Sequence, residues 1–82
     1  MANLFTGDIV SNKEYVDLEE ATGVTLTEGN WYQIQFHNKG YIREGEIGEG
    51  FLITFPEPFN FKYKGETIYI CSETKCKINL AE

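Results

Sequence analysis

Between Trp31 and Phe36 the chain reads Trp-Tyr-Gln-Ile-Gln-Phe, with Tyr32, Ile34 and Phe36 alternating with Trp31, Gln33 and Gln35. Successive side chains of a strand point to opposite sides of its sheet, so this period of two predicts a half-buried antiparallel strand. Phe51 to Phe55 predicts another, ended by Pro56-Glu57-Pro58, where two backbone donors are lost and the chain is expected to turn a corner. Phe59, Phe61 and Tyr63 alternate with Asn60 and Lys62. Ile68 and Ile70 flank Tyr69, and Ile78 and Leu80 flank Asn79, so three further strands are expected.

Turn composition suggests how these strands pair. Asn38-Lys39-Gly40 has the make-up of a type I turn closed by a glycine bulge. A hairpin built on it pairs His37 with Tyr41, Phe36 with Ile42 and Gln35 with Arg43, apolar against apolar, and leaves Ile34 opposite Glu44. A turn at Lys64-Gly65 likewise sets Phe61 opposite Ile68 and Phe59 opposite Ile70, with Ile78 pairing with Ile70 in the last strand. That register puts Cys71 and Cys76 on opposite sides of the sheet, so they are expected to stay unbridged.

The first third of the chain is less patterned. Residues 1–14 carry Leu4, Phe5, Ile9 and Val10 around a bend at Gly7-Asp8, which predicts an N-terminal arm docked on its own domain or on a neighbouring subunit, ahead of a single β domain over residues 15–82. Ser11 and Glu14 form a capping box, and Gly23 would close a helix of about three turns. Alternation of Val16 and Leu18 around Asp17 instead supports a short strand over Tyr15 to Leu18 followed by a helical turn. Thr27-Glu28-Gly29-Asn30 is a turn by composition.

At 82 residues, 41% hydrophobic and 15% aromatic, the chain is one domain with a thin core. The net charge of −6 is uneven: residues 1–30 hold six acids against Lys13 alone. A negative chain without a basic stripe is repelled by phosphate backbones and anionic bilayers, which argues against nucleic acid and membrane as partners. The N-terminal stretch has neither the basic region nor the apolar run of a secretion signal, so a cytoplasmic product is expected.

Candidate chemistry is sparse. Gly45 to Gly50 holds three glycines in six residues, but it lacks the lysine and following helix of a phosphate loop and is acidic, so it reads as a mobile loop. His37 is the only histidine, and two cysteines are too few for a four-ligand zinc site. No catalytic residue, cofactor or metal is expected, and the chain reads as non-enzymatic. Trp31, Tyr41 and Tyr69 are predicted to point away from the phenylalanine-rich layer, beside Gln33, Gln35, Arg43 and Asn60. Aromatics among amides and an arginine suit a sandwich cover, a subunit interface or a glycan site, and the three readings stay open.

Thr25-Leu26-Thr27-Glu28-Gly29, followed by Tyr32-Gln33-Ile34-Gln35 and then Asn38-Lys39-Gly40, resembles small proteins encoded among the structural genes of tailed bacteriophages and prophages. Gly50-Phe51-Leu52 and Ile68-Tyr69-Ile70 are similar to their C-terminal half, so the resemblance spans residues 15–82; Phe36 stands where such proteins usually carry an asparagine. The resemblance implies a virion component, such as a head decoration, head fibre or tail accessory protein, assembled in the bacterial cytoplasm and without enzymatic activity. The expected fold is an all-β antiparallel sandwich or jelly-roll-like barrel that forms a homo-oligomer, with Leu4, Phe5, Ile9, Val10, Trp31, Tyr41 and Tyr69 as the candidate interface. The alternative is a module recognising glycan or protein through the Trp31/Tyr41 face.

Overall fold

The computed structural model describes residues 2–9, 13–46 and 50–82. Among these the elements are β1 (Asn3–Ile9), β2 (Val16–Asp17), α1 (Leu18–Thr22), β3 (Trp31–Phe36), β4 (Lys39–Glu44), β5 (Phe51–Thr54), β6 (Phe59–Lys62), β7 (Ile68–Cys71) and β8 (Cys76–Ala81). They form two four-stranded sheets, ordered β1-β8-β3-β6 and β2-β7-β4-β5, with every pairing antiparallel. Eight antiparallel strands arranged in two packed sheets in this nested order make a jelly roll.

The nesting is that of one long ribbon folded over itself: β4 lies beside β5, β3 beside β6, β2 beside β7 and β1 beside β8. At the tip the register is continuous. Trp31↔Lys62 to Ile34↔Phe59 carries on as Lys39↔Thr54 to Ile42↔Phe51, with no residue gained or lost on either arm. Both arms bend from one sheet to the other at the same level, where the Phe55 N–H donates to the Asn38 carbonyl at 2.7 Å and the Gln35 side chain donates to the Pro56 carbonyl at 2.6 Å.

Three predicted pairings are corrected by this topology. Asn38-Lys39-Gly40 is a corner between sheets rather than a hairpin: Phe36 pairs with Ile78 and Ile42 pairs with Ile70, and neither pairs with the other. A hairpin would set Phe36 and Ile42 side by side in one layer and Ile34 against Glu44. The corner puts them in facing layers of one core and gives Ile34 the apolar neighbours Phe59 and Leu80. Lys64-Gly65 is also a crossing, since Phe61 lies against Tyr32 and Ile68 against Glu44. Ile70 pairs with Ile42 and Val16, not with Ile78. Cys71 and Cys76 are therefore in different sheets, as free buried thiols.

Gly40 is not the left-handed residue of a bulge. It is buried in β4 beneath the Phe36 ring, and a Cβ there would stand 2.6 Å from Phe36 Cε1. The close approach lets the chain bend while the ring fills the core.

The inward faces supply the core: Tyr32, Ile34, Phe36, Ile78 and Leu80 from one sheet, and Ile42, Ile53, Ile68 and Ile70 from the other. The buried Tyr32 hydroxyl accepts from the Thr27 N–H at 2.7 Å, which satisfies the one polar atom of that ring. Residues 16–22 form the short strand and helical turn. Asp17 caps α1 by accepting the Glu19 N–H at 2.9 Å, and Gly23 closes it at φ 75 in the left-handed region. The capping box read at Ser11 falls on a residue outside those described. The segment read as an arm over residues 1–14 is, from Asn3 to Ile9, the edge strand of its own sheet, paired with β8.

Replacing Gly40 by Ala should destabilise the fold by about 1 to 3 kcal/mol through overpacking. The loss should shrink in a Phe36→Leu background. Thermal melts of the two single variants and the double variant check this, and additive losses would show that the ring and the glycine are not in contact.

Candidate interaction surface

The two flanks of the sandwich are finished differently. Where β1 and β2 are the edges, α1 packs across the opening and contacts β1, β2 and β7, with Leu18 fully buried. Where β5 and β6 are the edges, large apolar side chains stand in solvent: Phe51 is 67% exposed, Leu52 56% and Phe55 51%. From Gly50 to Pro56 no side chain carries a charge, in a chain of net charge −6. Beside β5 lies a cleft of about 170 Å³ lined by Ile42, Phe51, Phe59, Phe61 and Ile68 together with Arg43 and Glu44, with the Phe51 and Phe59 rings stacked at 6.1 Å. An edge strand with free backbone groups and greasy side chains on both faces is what monomeric proteins avoid.

The outer face of the β4/β7 sheet is organised by Arg43. Its guanidinium lies 4.1 Å from the Tyr15 ring centroid and 5.1 Å from that of Tyr69, and its Nε donates to the Gly45 carbonyl at 2.9 Å. The Tyr69 hydroxyl donates to Glu46 at 3.0 Å. This bond is the main reason the Tyr69 pKa is raised above 10.0; desolvation and the Glu46 charge add to it, and Arg43 opposes it.

The outer face of the other sheet has two uncharged, amide-rich rows at its middle, flanked by Lys62 on one side and by the Asp8/Lys77 pair on the other. Registers align Asn3, Ala81, Gln33 and Asn60 in one row across the strands, and Thr6, Asn79 and Gln35 in the next. A bulge at Leu4 lets Asn3 and Thr6 share this face, joined by a 3.0 Å hydrogen bond from Asn3 Nδ2 to Thr6 Oγ1. Asn79 Nδ2 lies 2.8 Å from His37 Nε2. Trp31, 60% exposed, stands one step along β3 from Gln33 and opposite Lys62.

These faces redistribute the predicted interface. Trp31 lies on one sheet and Tyr41 and Tyr69 on the other, so the shared Trp31/Tyr41 face does not form. Arg43 parts from Gln33, Gln35 and Asn60 for the same reason. Ile9 is buried in the core, Phe5 packs against the core half-buried, and Leu4 is exposed at the bulge. Val10 lies outside the described residues, as do residues 47–49 of the glycine-rich loop. Phe51, Leu52 and Phe55, the most prominent exposed apolar group, were not singled out by sequence. Their signal was an apolar run on both strand faces, which a fully buried strand also shows.

Among the described residues, no group of three His, Cys, Asp or Glu side chains is placed to hold a metal ion, and no helix is long and apolar enough to cross a membrane. Comparison with protein-family models, curated proteins and solved structures finds no match.

Because the hydrogen bond holds the Tyr69 proton, its contribution to stability is full below pH 10.0 and is lost only as pH rises through the raised folded pKa. Ultraviolet titration of the folded protein should show Tyr69 ionising above 10.0, and Glu46→Gln should bring it back towards that value. An unchanged titration would show that the Glu46 bond is not formed in solution.

Proposed function

We propose that this protein is a non-enzymatic structural subunit of a tailed-phage or prophage virion, of the decoration, head-fibre or tail-accessory kind, and that it works by self-association and by contact with other virion proteins. The observation that carries the reading is the uncharged β5 edge with Phe51, Leu52 and Phe55 exposed in one short run. Water-exposed apolar groups concentrated on a free strand edge are stable in a soluble protein when an assembly covers them. Jelly rolls recur in viral capsid and lectin domains, a fold-level analogy that favours a packing role and specifies no chemistry. The resemblance of residues 15–82 to phage structural-gene products points the same way.

Sedimentation at micromolar concentration should give a particle larger than the 9.4 kDa chain. Peptides from this chain should also appear in purified particles released from a strain that carries it. A 9.4 kDa monomer, or particles without the peptides, would overturn the proposal.

A second reading, recognition of a neutral glycan, is favoured by one site. Exposed Trp31 adjoins Gln33 and Asn60, whose side-chain amides have no hydrogen-bond partner among the described residues. A sugar ring stacked on the indole would meet two planar amides. Trp31 is the sole tryptophan, so its emission reports on this face alone. Titration with neutral oligosaccharides should shift that emission, and Gln33→Ala should weaken the response; an unchanged spectrum across a panel of them would eliminate this reading.

A further inference from the structure

We infer that two copies of the chain join edge to edge through β5, antiparallel about a two-fold axis at Ile53, to make one continuous eight-stranded sheet, a mode of assembly that presupposes the self-associating subunit proposed above. The backbone dictates which groups are available. Phe55 donates its N–H to the Asn38 carbonyl, and this bonded pair lies in the register that places Gly40 opposite Ile53 and Ile42 opposite Phe51. In an antiparallel pair, bonded and non-bonded positions alternate, so Phe51, Ile53 and Phe55 spend their backbone groups on β4. Leu52 and Thr54 therefore direct theirs to the open side. The Thr54 carbonyl also accepts the Glu57 N–H at 2.8 Å, and its second lone pair remains for a partner.

The register about Ile53 uses these groups. It sets Leu52 opposite Thr54 of the second copy, so the residues with outward-facing N–H and C=O groups exchange hydrogen bonds in both directions. The same register sets Phe51 opposite Phe55 of the second copy, and Phe55 opposite Phe51. The two exposed rings of each chain thus become cross-strand aromatic pairs on one face. Leu52 is covered on the other face. Pro56, which has no N–H, would fall opposite Gly50, and the pairing stops there.

Charge and cover agree with this choice. Two chains of net charge −6 repel, and the uncharged run from Gly50 to Pro56 is where they approach at least electrostatic cost. The opposite flank is already closed by α1. Self-pairing at β5 makes a closed isologous dimer, because the same edge serves both partners and no β5 edge is left to add a third copy.

The test removes a donor that only the partner needs. Thr54→Pro deletes an outward N–H without touching the ladder to β4. The wild-type chain should sediment at twice 9.4 kDa, and Thr54→Pro at 9.4 kDa with its melting temperature measured at the same monomer concentration as a fold check. If Thr54→Pro fails to fold, the double variant Phe51→Cys, Phe55→Cys decides. Both positions are exposed, and mild oxidation should give a covalent dimer linked between chains from position 51 to position 55, mapped by mass spectrometry. A wild-type dimer that persists in folded Thr54→Pro, or that does not cross-link in the cysteine variant, would overturn edge pairing and leave self-association through another surface standing. A wild-type monomer would overturn both.

Discussion

The Phe36 ring lying on Gly40 is the contact on which the rest of the arrangement depends. It sits where the β3–β4 arm of the ribbon leaves one sheet for the other, and the β5–β6 arm bends beside it, tied by the Phe55–Asn38 and Gln35–Pro56 hydrogen bonds. A side chain at position 40 would lift the ring and open the corner. With the ring seated, both arms cross together, so one register runs from β3·β6 into β4·β5. The inner faces of Tyr32, Ile34 and Phe36 then oppose those of Ile42, Ile68 and Ile70 as two layers of a single core.

A core of this size supplies little surplus. Below about 70 to 80 residues a single apolar core rarely gives more than about 3 to 5 kcal/mol, and this chain of 82 is scarcely above that range. The ion pair between Lys75 and Asp8 adds little, because the two stand 3.6 Å apart with both side chains largely in water. Helix α1 closes the β1/β2 flank, where Leu18 is buried without residual exposure. On the other flank Phe51 and Leu52 of β5 and the adjoining Phe55 stay in solvent, apolar surface that contributes nothing to the core.

The two outer faces have different chemistry because the topology separates residues that look alike in sequence. One collects Asn3, Thr6, Gln33, Gln35, Asn60 and Asn79 into uncharged polar rows, with Trp31 and Lys62 on one side of them and Asp8 and Lys77 on the other. The other collects Tyr15, Tyr69 and Glu46 around Arg43. An arginine within 4.1 and 5.1 Å of two tyrosine rings, with its Nε bonded to the Gly45 carbonyl, is held by several partners, which favours a fixed, structural guanidinium over a free one. The amide face keeps the Gln33 and Asn60 side chains without a hydrogen-bond partner among the described residues.

Local pattern alone marked the strands from Trp31 onward and, where residues alternate, the side of each that is buried. Trp31–Phe36 is a strand with the expected residues inward, the chain turns at Pro56-Glu57-Pro58, and the all-β sandwich follows from period-two alternation, because a side chain's direction in a strand depends only on its own position. Which strand lies beside which was decided by tertiary structure. Turn composition at Asn38-Lys39-Gly40 and Lys64-Gly65 is compatible with a hairpin and with a corner, and an apolar face pairs equally well with any other apolar face. The choice was made by filling one core from two layers: Ile34 takes Phe59 and Leu80 in place of Glu44, and Gly40 makes room for Phe36. The same step separated Trp31 from Tyr41, drew residues 3–9 into a sheet, and exposed Phe51, Leu52 and Phe55 by leaving β5 at an edge. Edge position is a property of the whole strand order, and no window of sequence around β5 contains it.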